Sequence, residues 1–598
     1  NAKKDILLQS ILNSVYGIDI HPLAVIIAKS TYLLAIRNLL KEAKRPLQIP
    51  VYLADALFLP KEVIQRELWE VSGYEIFFGK DKRVSMPEDF VKSAELFDPA
   101  INLAATIAID HAKSRKESIK SLRSSLTRSV NKIFDLPNAE DVINSLWNFT
   151  EQLAELIQNK ENSIWAFIVR NSYRPAMLKD QFVFIIGNPP WLSYRYISDL
   201  EYQAEVKKRA IDDYGIAPKS QKLFTQMELA TIFFVHALAT FGKANSRLAF
   251  VMPRSILTAD QHERLRNRTY KAEVTLDEIW DLDEVKSVFN VPSCVMFATK
   301  KACTSPGTAY SIPALEWSGK LPYRDISWQQ AEKLLTKQSL TARLIFLGKR
   351  NALSTKESSS SSIIKKSDYA KRFHQGATIV PRSFYFVTIE SLEGTVDREK
   401  LYWAETDKVQ AKEAKPPYDD VFLQGHIEGQ FIFTTALSKH IFPFAHLEPA
   451  LVVLPIEEKE GHLTMYNSDN LREDGYRSVA KWMEQAEVLW ASKRKSKADK
   501  QTIYQWLDYN KKLTNQNLKS KFLVLYNSSG TNISACYINR EALKSKFVVE
   551  STLYWCEVGS EKEAYYLCSI LNAQCINLLI KPFQAKGIQG ERHIHKKV

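Results

Sequence analysis

The stretch Phe182-Val183-Phe184-Ile185-Ile186-Gly187-Asn188-Pro189-Pro190-Trp191 joins a continuous apolar run to a rigid polar turn. The apolar run predicts a buried central strand, and open α/β sheets bind their ligands at the carboxyl ends of such strands. Pro189 and Pro190 fix the backbone and leave carbonyl oxygens free to accept, Asn188 adds a side-chain amide, and Trp191 adds a planar face. The turn can therefore hold a planar amino group, although an ordinary turn capped by two prolines remains the alternative.

Strands and helices alternate on both sides of this stretch. Residues 14–20 predict a short strand ending in Asp19, His21-Pro22 opens a helix with a broad apolar face, and residues 49–56 predict a second strand with Asp55 near its end. Further along the chain, the pattern predicts a helix at 223–241 and strands at 247–253, 278–281 and 294–299. This order predicts an α/β fold with a parallel, doubly wound sheet.

Two other regions differ in texture. Residues 61–180 are polar and have helical periodicity, which predicts a helical insertion between two strands of the sheet. Beyond residue 335, the serine run Ser358–Ser362 predicts a flexible loop, and short β-like runs such as Ser383–Ile389 alternate with helical pieces such as Arg477–Ser492. We therefore expect two domains, residues 1–335 and residues 336–598, the second of the α+β class.

Charge and composition narrow the class of protein. The chain has 598 residues, 45% hydrophobic and 25% charged, as in ordinary globular proteins. Residues 1–300 carry 39 basic and 36 acidic groups (+3), whereas residues 301–598 carry 42 and 32 (+10). A basic half indicates a polyanionic partner, and a solvated basic surface is the alternative. None of the six cysteines forms a CxxC pair, which predicts no metal site.

The same composition gives expectations about location. Scattered cysteines are typical of free thiols in a reducing compartment. No apolar run was found that reaches the roughly 18 residues of a membrane span, and the N-terminus lacks a signal pattern. We therefore expect a cytoplasmic protein with no membrane partner.

The turn also resembles a motif of a known family. GNPPW is similar to the catalytic (D/N/S)PP(Y/F/W) motif of amino-group methyltransferases, in the form typical of N6-adenine DNA methyltransferases of the large restriction–modification (type IIG or BREX-like) family. Other segments resemble that family in the same order: VYGIDIHPLAV, LADAL, KLFTQMELATIFF, RLAFVMPRSIL and VFNVPSCVMFATKK in the first half, and HQGATIVPRSFYFV and the segment from Tyr565 to Lys596 in the second.

The resemblance implies a Rossmann-like sheet that uses S-adenosylmethionine as cofactor, followed by a target-recognition domain. Asp19 would hold the ribose hydroxyls of the cofactor, and Ile20 would pack on its adenine. Asp55 and Ala56 would bind the adenine amino group, and Asn188 would also lie beside the cofactor.

For the target base, the resemblance implies a second set of roles. Asn188 and Pro189 would accept the two N6 hydrogens of an adenine flipped out of the duplex, with Pro190 completing the turn. Trp191 and Phe289 would sandwich the base. The implied partner is double-stranded DNA, together with other subunits of a restriction–modification or defence system. Candidate DNA contacts are Tyr194, Arg195, Arg382, Lys586, Arg592, His593 and His595.

The chain departs from the family pattern in ways that keep alternatives open. No two of its 19 glycines are two residues apart, so the glycine-rich cofactor motif is missing, and we expect the sequence to be an interior segment of a longer methyltransferase. Val183 stands where relatives often have Asp. The alternatives are a methyltransferase for RNA or protein glutamine, a bifunctional restriction enzyme with its nuclease outside this chain, and a DNA-binding module without activity. Glu284-Val285-Lys286 matches only the last element of a nuclease carboxylate cluster.

Overall fold

The computed structural model describes most of the chain. The described residues are 2–41, 47–58, 61–66, 70–78, 82–113, 116–133, 139–159, 169, 173–286, 288–303, 305–347, 350–355, 367–390, 392–459, 462–494, 501–587, 590–592 and 594. The predicted loop at Ser358–Ser362 and the candidate DNA contacts His593 and His595 lie outside them.

The first unit is the strand–helix–strand arrangement that the sequence predicts. It consists of α1 (Ala2–Leu12), β1 (Gly17–Asp19), α2 (Pro22–Leu40) and β2 (Val51–Leu53). The two strands pair in parallel, with Gly17 opposite Val51, and α2 packs against both. Pro22 stands at the first turn of α2, where a missing N–H costs no helix bond.

The outer face of α2 remains exposed and apolar. Of the helices among the described residues, α2 alone is long and apolar enough to cross a membrane by length and composition, and only 11% of that window is buried. The expectation that no apolar run reaches this length was therefore wrong. Core helices of soluble proteins pass the same test. The exposed residues of this face are Leu23, Ile26, Ile27, Leu33 and Leu34.

The insertion is only partly helical. It begins with β3 (Lys61–Arg66), β4 (Glu70–Phe78) and β5 (Lys82–Pro87), which form an antiparallel sheet, and continues with α3 (Glu88–Lys92), α4 (Ala94–Lys113), α5 (Lys116–Ile133), α6 (Ala139–Gln158) and α7 (Arg174–Met177). The prediction of an all-helical insertion was wrong for its first part. In β5, Val84 and Met86 are buried with Trp147 of α6, a period-two pattern too short to stand out in the sequence.

A seven-stranded mixed sheet follows. Its strands are β6 (Phe182–Gly187), β7 (Gly242–Pro253), β8 (Thr275–Lys286), β9 (Ser293–Thr299), β10 (Ser311–Lys320), β11 (Thr336–Leu347) and β12 (Arg350–Ser354), in the order β12-β11-β10-β8-β9-β7-β6. The pairs β6–β7 and β8–β10 are parallel, and the other four pairs are antiparallel, so the prediction of a parallel sheet was wrong for most of this sheet. The helices of this region are α8 (Leu200–Lys208), α9 (Gln221–Phe224), α10 (Leu229–Phe241), α11 (Glu263–Arg266) and α12 (Trp328–Leu334).

The position of β6 differs from the prediction. The sequence predicts a buried central strand, but β6 is the outermost strand of this sheet, and among the described residues only β7 pairs with it. The described residues also leave the faces of β6 uncovered: Val183 is 55% exposed, Phe184 69% and Ile186 84%. A flat apolar edge strand of this kind is a strong site for further association.

The predicted boundary at residue 335 falls inside the seven-stranded sheet. Strand β11 begins at Thr336 and pairs with β10 from Ser311 to Ser318, and β12 extends the sheet to Ser354. The boundary was missed because the sequences of β11 and β12 resemble those of the short strands in the second half of the chain. The sequence alone does not show that β11 pairs with β10 and β12 with β11. The division into two domains stays a prediction, with its place moved beyond Ser354.

The second half of the chain is mixed α and β. Its strands are β13 (His374–Gln375), β14 (Phe386–Thr388), β15 (Leu401–Thr406), β16 (Gln424–Glu428), β17 (Ile432–Thr435), β18 (Ile441–Phe442), β19 (Ala445–His446), β20 (Ala450–Val453), β21 (Ile456–Lys459), β22 (His462–Met465), β23 (Phe522–Asn527), β24 (Ala535–Asn539), β25 (Leu553–Val558), β26 (Ala585–Gly587) and β27 (Gly590–Arg592). Its helices are α13 (Arg382–Tyr385), α14 (Lys408–Lys412), α15 (Ser468–Glu473), α16 (Arg477–Lys493), α17 (Ile503–Leu507), α18 (Glu561–Leu571) and α19 (Gln574–Ile580).

Two antiparallel sheets organise this half. One has the order β16-β15-β14-β20-β17, and the other has the order β13-β25-β23-β24. The strand predicted at Ser383–Ile389 begins only at Phe386, because the residues after Pro381 form the short helix α13. Proline stands readily at the start of a helix, and the apolar letters alone do not reveal this turn.

A close backbone approach at Gly376 gives a test of this packing. A Cβ atom on Gly376 would lie 2.2 Å from the carbonyl oxygen of Glu550, whereas a Cβ atom on Gly425 would meet nothing within 4 Å. We expect Gly376→Ala to destabilise the second half by about 1–3 kcal/mol and Gly425→Ala to leave stability nearly unchanged. Thermal unfolding followed by circular dichroism measures both, and equal melting temperatures for the two variants would contradict the packing.

Candidate active site

The turn after β6 begins at a glycine that the packing requires. Gly187 lies opposite Phe250 of β7, and a Cβ atom on Gly187 would lie only 3.0 Å from the Cε1 atom of Phe250. Beyond it, Asn188 is exposed, Pro189 is buried and Pro190 is exposed. The buried proline therefore anchors the turn, and the amide of Asn188 is presented at the carboxyl end of β6.

The structure brings Trp191 and Phe289 together. The indole Nε1 of Trp191 donates to the carbonyl oxygen of Val251 over 3.2 Å, and the Trp191 and Phe289 ring centroids lie 5.6 Å apart at an interplanar angle of 42°. A base held between two rings needs about 3.5 Å on each side, hence roughly 7 Å between the faces. The predicted sandwich does not fit between the rings as they stand, so a base can stack on one of them or must displace one.

Residues after the turn are fixed to the segment that leads into α10. Three backbone bonds join the two segments: Leu229 N–H to Leu192 O, Tyr194 N–H to Met227 O and Arg195 N–H to Thr225 O. Tyr194 is 7% exposed, packs on Phe224 at 4.4 Å and donates its hydroxyl to the carbonyl oxygen of Gln203. The prediction that Tyr194 contacts DNA was wrong for this arrangement, because its hydroxyl is engaged inside the protein.

Arg195 has the opposite environment. Its side chain is exposed, and its guanidinium lies over the ring of Tyr196, 4.8 Å from the centroid. The structure therefore leaves Arg195 accessible beside the turn.

Asp19 and Ile20 lie at the carboxyl end of β1, as predicted. Asp19 is exposed and its Oδ1 atom accepts from the backbone N–H of His21 over 2.7 Å, which forms an Asx turn directly before α2. Ile20 is also exposed. Tyr16, directly before β1, contacts Phe182 at the start of β6 with ring centroids 5.7 Å apart. The two strands therefore begin beside each other.

Asp55 is held more tightly than the sequence suggests. Its Oδ1 atom accepts from the backbone N–H of Leu57 over 2.8 Å, and the phenol of Tyr202 lies close enough to lower the pKa of Asp55. Burial raises the pKa of Asp55, and these two groups act in the opposite direction. The neighbouring carbonyl oxygen of Ala56 accepts from Nε2 of His236 over 2.8 Å.

Helix α8 connects the two parts of the candidate site. It carries Tyr202, whose pKa is raised by burial and by the neighbouring carboxylate of Asp55, and Gln203, whose carbonyl accepts from Tyr194 in the segment after the turn. Tyr202 also packs edge-on against Phe58 with ring centroids 4.7 Å apart. Asp55 and the turn are thus held by the same helix, although 133 positions separate Asp55 from Asn188 in the sequence.

Glu228 and His262 form a buried pair that sequence reasoning missed. The Oε2 atom of Glu228 lies 2.5 Å from Nε2 of His262, its Oε1 atom accepts from the hydroxyl of Ser255 over 2.9 Å, and Thr231 bonds the other imidazole nitrogen. Burial opposes ionisation of Glu228, but His262 and Ser255 outweigh it and hold its pKa at about 2. The only signal in the sequence is an acid directly before a helix, α10, without charged residues.

A second buried pair supports the segment that carries Phe289. Arg254 binds both carboxylate oxygens of Asp281, at 3.0 and 2.8 Å, and its backbone N–H donates to Pro292 O over 2.9 Å. Burial opposes the charge of Arg254, but the carboxylates of Asp281 and Asp283 raise its pKa above the ordinary value. Bidentate pairs of this kind fix orientation as well as distance.

The predicted DNA contacts in the second half of the chain differ from one another in their surroundings. Arg382 is already paired with Glu413 over 2.7 Å, and its side chain is only 18% exposed. Lys586 and Arg592 stand in the hairpin of β26 and β27, and β26 lies beside the short helical segment Arg254–Leu257. This hairpin therefore returns to the neighbourhood of the candidate site.

The residues present fit part of an S-adenosylmethionine site. Asp19 is an exposed carboxylate with one oxygen used by a backbone N–H, which leaves acceptor capacity for ribose hydroxyls. Exposed Ile20 offers an apolar face. Among the described residues, no group of three or more His, Cys, Asp or Glu side chains is arranged to hold a metal ion.

The Glu228 pair gives a stability prediction. Glu228→Gln keeps the shape but removes the charge, so we expect a loss of about 1.5–3 kcal/mol, the value of hydrogen bonds to charged groups. Glu201→Gln, on the exposed side of α8, is the matched control and should change little. Thermal unfolding of both variants measures the difference, and a wild-type melting temperature for Glu228→Gln would refute the buried pair.

His236 gives a pH prediction. Burial, together with the positive charge of Arg209, lowers its pKa from 6.5 to about 3. Below pH 6.5 the imidazole of His236 takes up a proton in the unfolded chain but not in the folded one. The free energy of unfolding is therefore unaffected by this group above pH 6.5 and decreases as the pH falls below it. Denaturation experiments above and below pH 6.5 measure this effect. Below pH 6.5, His236 should lower the free energy of unfolding of wild type by about 1.4 kcal/mol per pH unit.

Variants separate this effect from the general acid response. His236→Gln retains a donor for Ala56 without the titration, so its unfolding free energy should depend less on pH than that of wild type. His462→Gln, at an exposed position of β22, should keep the wild-type dependence. Equal pH dependence in all three proteins would disprove the assignment.

Comparison with known proteins assigns part of the chain. Residues 13–289 match the family model described as Eco57I restriction-modification methylase. This range contains Asp19, Asp55, Asn188 and Trp191 and ends at Phe289. No curated protein sequence matches the chain.

Several solved structures resemble the chain at low sequence identity. The type IIL restriction-modification enzyme MmeI in complex with DNA has 12% identity over 69% of this chain and 44% of its own, with a TM-score of 0.40. The type IIG restriction endonuclease BpuSI has 11% identity over 85% of this chain and 71% of its own, with a TM-score of 0.24. A nuclease-deletion mutant of the type ISP enzyme LlaGI with a DNA substrate mimic has 9% identity over 82% and 51%, with a TM-score of 0.33.

The chain spans less than half the length of MmeI and 26% of the type ISP enzyme LlaBIII. TM-scores this low do not establish the arrangement of the strands. The part of the chain from residue 13 to residue 289 thus matches a restriction-modification methylase domain.

Proposed function

We propose that the chain is the methyltransferase part of a restriction–modification or phage-defence system and methylates N6 of an adenine in duplex DNA. The observation that carries the proposal is the turn at the end of β6, with Asn188 exposed, Pro189 buried and the Trp191 ring fixed beside Phe289. All of these residues lie in the range that matches a restriction-modification methylase domain. S-adenosylmethionine supplies the methyl group when bound.

On the substrate side, the side-chain oxygen of Asn188 and the carbonyl oxygen of Pro189 accept the two N6 hydrogens, with Pro190 holding the turn rigid. These bonds draw the nitrogen towards tetrahedral geometry and direct its lone pair at the methyl donor. Flipping the base costs a few kcal/mol, and stacking on Trp191 or Phe289 returns roughly 1–3 kcal/mol. The rate comes from orientation, so no strong general base is needed.

On the cofactor side, Asp19 binds the ribose hydroxyls and Ile20 packs on the adenine. Asp55 and Ala56 bind the adenine amino group, and Asn188 faces both ligands. Tyr202 and His236 keep Asp55 and Ala56 in place through the contacts described above. This division explains why one helix, α8, supports both halves of the site.

DNA recognition is assigned to the second half, which carries +10 of the net +13 charge. Arg195 is accessible beside the turn, and Lys586 and Arg592 stand in a hairpin near Arg254–Leu257. Arg382 serves DNA only if its ion pair with Glu413 opens. Other subunits of the system and a cytoplasmic location belong to the same proposal.

Two alternatives make different predictions. A nuclease of a bifunctional enzyme would have to lie outside the described residues, since Glu284 and Lys286 stand at the end of β8 and no metal-binding group is found among the described residues. A DNA-binding module without activity would bind duplex DNA but no labelled S-adenosylmethionine. Equilibrium binding of the labelled cofactor separates this last case from an enzyme.

Substitution of Asn188 tests the catalytic assignment. Asn188→Ala removes one of two acceptors for the amino group, and we expect methyl transfer to DNA to fall roughly 100-fold or more, as when one fixed hydrogen-bonding group is removed from other active sites. Asn148→Ala, at an exposed position of α6, is the matched control. Transfer of labelled methyl groups to DNA is the measurement; near-normal transfer by a folded Asn188→Ala protein would end the proposal.

A further inference from the structure

A cavity of about 620 Å³ in the second half of the chain is rich in positive charge. Its walls come from the segment around β13, from the segment 510–515 after α17 and from β25. Four cations line it, Lys371, Arg372, Lys511 and Lys512, against the single carboxylate of Glu557. Unlike the ion pairs elsewhere on this surface, this arrangement leaves a net positive charge in a concave site.

Three of the four cations lack a carboxylate partner among the described residues. Arg372 is paired with Glu563 over 3.2 Å, whereas Lys512 only donates to the side-chain oxygen of Gln375 over 2.7 Å. Lys371 and Lys511 are exposed, and neither forms an ion pair in the described part of the chain. These lysines are therefore available to an external anion.

The surroundings of Lys512 disfavour its charged form. Burial lowers its pKa first, and the charge of Lys222 lowers it further. Lys222 stands on α9, so this helix of the catalytic half comes close enough for its charge to act on the cavity. Thr225, directly after α9, accepts a backbone bond from Arg195 beside the candidate active-site turn.

We propose that this cavity binds backbone phosphate groups of the duplex DNA on which the catalytic half acts, through Lys371, Lys511 and Lys512. The identity of the polyanion rests on the proposed function, whereas the preference for phosphate rests on the charges of the cavity. A phosphate relieves the repulsion among the unpaired lysines, and lysine binds phosphate as a point charge. The volume exceeds that of one phosphate group, so the adjoining sugar also enters beside His374 and Trp555.

The salt dependence of DNA binding tests this proposal. Lys511→Gln/Lys512→Gln should weaken binding equally for all duplex sequences and reduce the slope of log affinity against log salt by about 2, because each lysine that no longer neutralises a phosphate lowers the slope by about one unit. Lys371→Gln/Lys511→Gln should do the same while preserving the hydrogen bond between Lys512 and Gln375. Fluorescence anisotropy with a labelled duplex, measured over a series of salt concentrations, gives the slope.

Control variants and competitors make the outcome decisive. Lys481→Gln/Lys562→Gln removes the same charge from exposed positions of α16 and α18 and should leave the slope nearly unchanged. A wild-type slope in both cavity variants overturns the proposal. Cavity variants with a wild-type slope that lose the binding of AMP shown by wild type would assign the cavity to a free nucleotide. Loss of polyglutamate binding in the same variants would assign it to an acidic protein.

The proposed function is tested separately by the same proteins. If the cavity variants show the reduced slope but wild type transfers no methyl group to DNA, the phosphate site stands and the methyltransferase proposal fails. If wild type methylates DNA and the cavity variants keep the wild-type slope, the methyltransferase proposal stands and the phosphate site is refuted.

Discussion

The parallel pairing of β6 with β7 is the interaction on which the candidate site depends. Its register places Gly187 opposite Phe250, where a Cβ atom would lie 3.0 Å from the phenyl ring and the ring would have to give by a few tenths of an ångström. The same register places the carbonyl oxygen of Val251 where it accepts from the indole of Trp191. A slip of one residue would turn every side chain of β6 to the other face, so the indole of Trp191 reaches the carbonyl oxygen of Val251 only in this pairing.

The two sides of the site are supported in different ways. On the side of the proposed substrate, ion pairs hold the segments that follow β6, β7 and β8: Glu228 with His262, and Arg254 with Asp281. On the cofactor side, neutral groups hold Asp55 and Ala56 from α8 and α10. The outer edge of β6 and the apolar face of α2 are left uncovered by the described residues. An exposed apolar surface of this extent is typical of a contact region rather than of an ordinary monomer surface.

The sequence alone predicted the positions of the polar residues that directly follow short apolar strands. Asp19, Asp55 and Asn188 each follow a short apolar strand, and the structure places each at a strand end because strand period and turn residues are local properties. The contact between Trp191 and Phe289 came only from the family resemblance, since 98 positions separate them.

What the sequence could not reveal depends on pairing between distant segments. The edge position of β6 follows from the absence of a second neighbour among the described strands, which no apolar run can indicate. The pairing of Glu228 with His262 joins residues 34 positions apart, and the burial of Tyr194 depends on contacts with α8 and α9. The extension of the sheet to Ser354 was missed for the same reason, because β-pairing is non-local.

The identity of the methylated group tests the central claim most directly. The full chain should be incubated with duplex DNA and S-adenosylmethionine carrying a labelled methyl group, and the DNA digested to nucleosides for chromatography and mass spectrometry. The account predicts label in N6-methyladenine, and none when Asn188→Ala replaces wild type. Label in N4-methylcytosine or in protein, or no label anywhere although the chain binds duplex DNA, would contradict it.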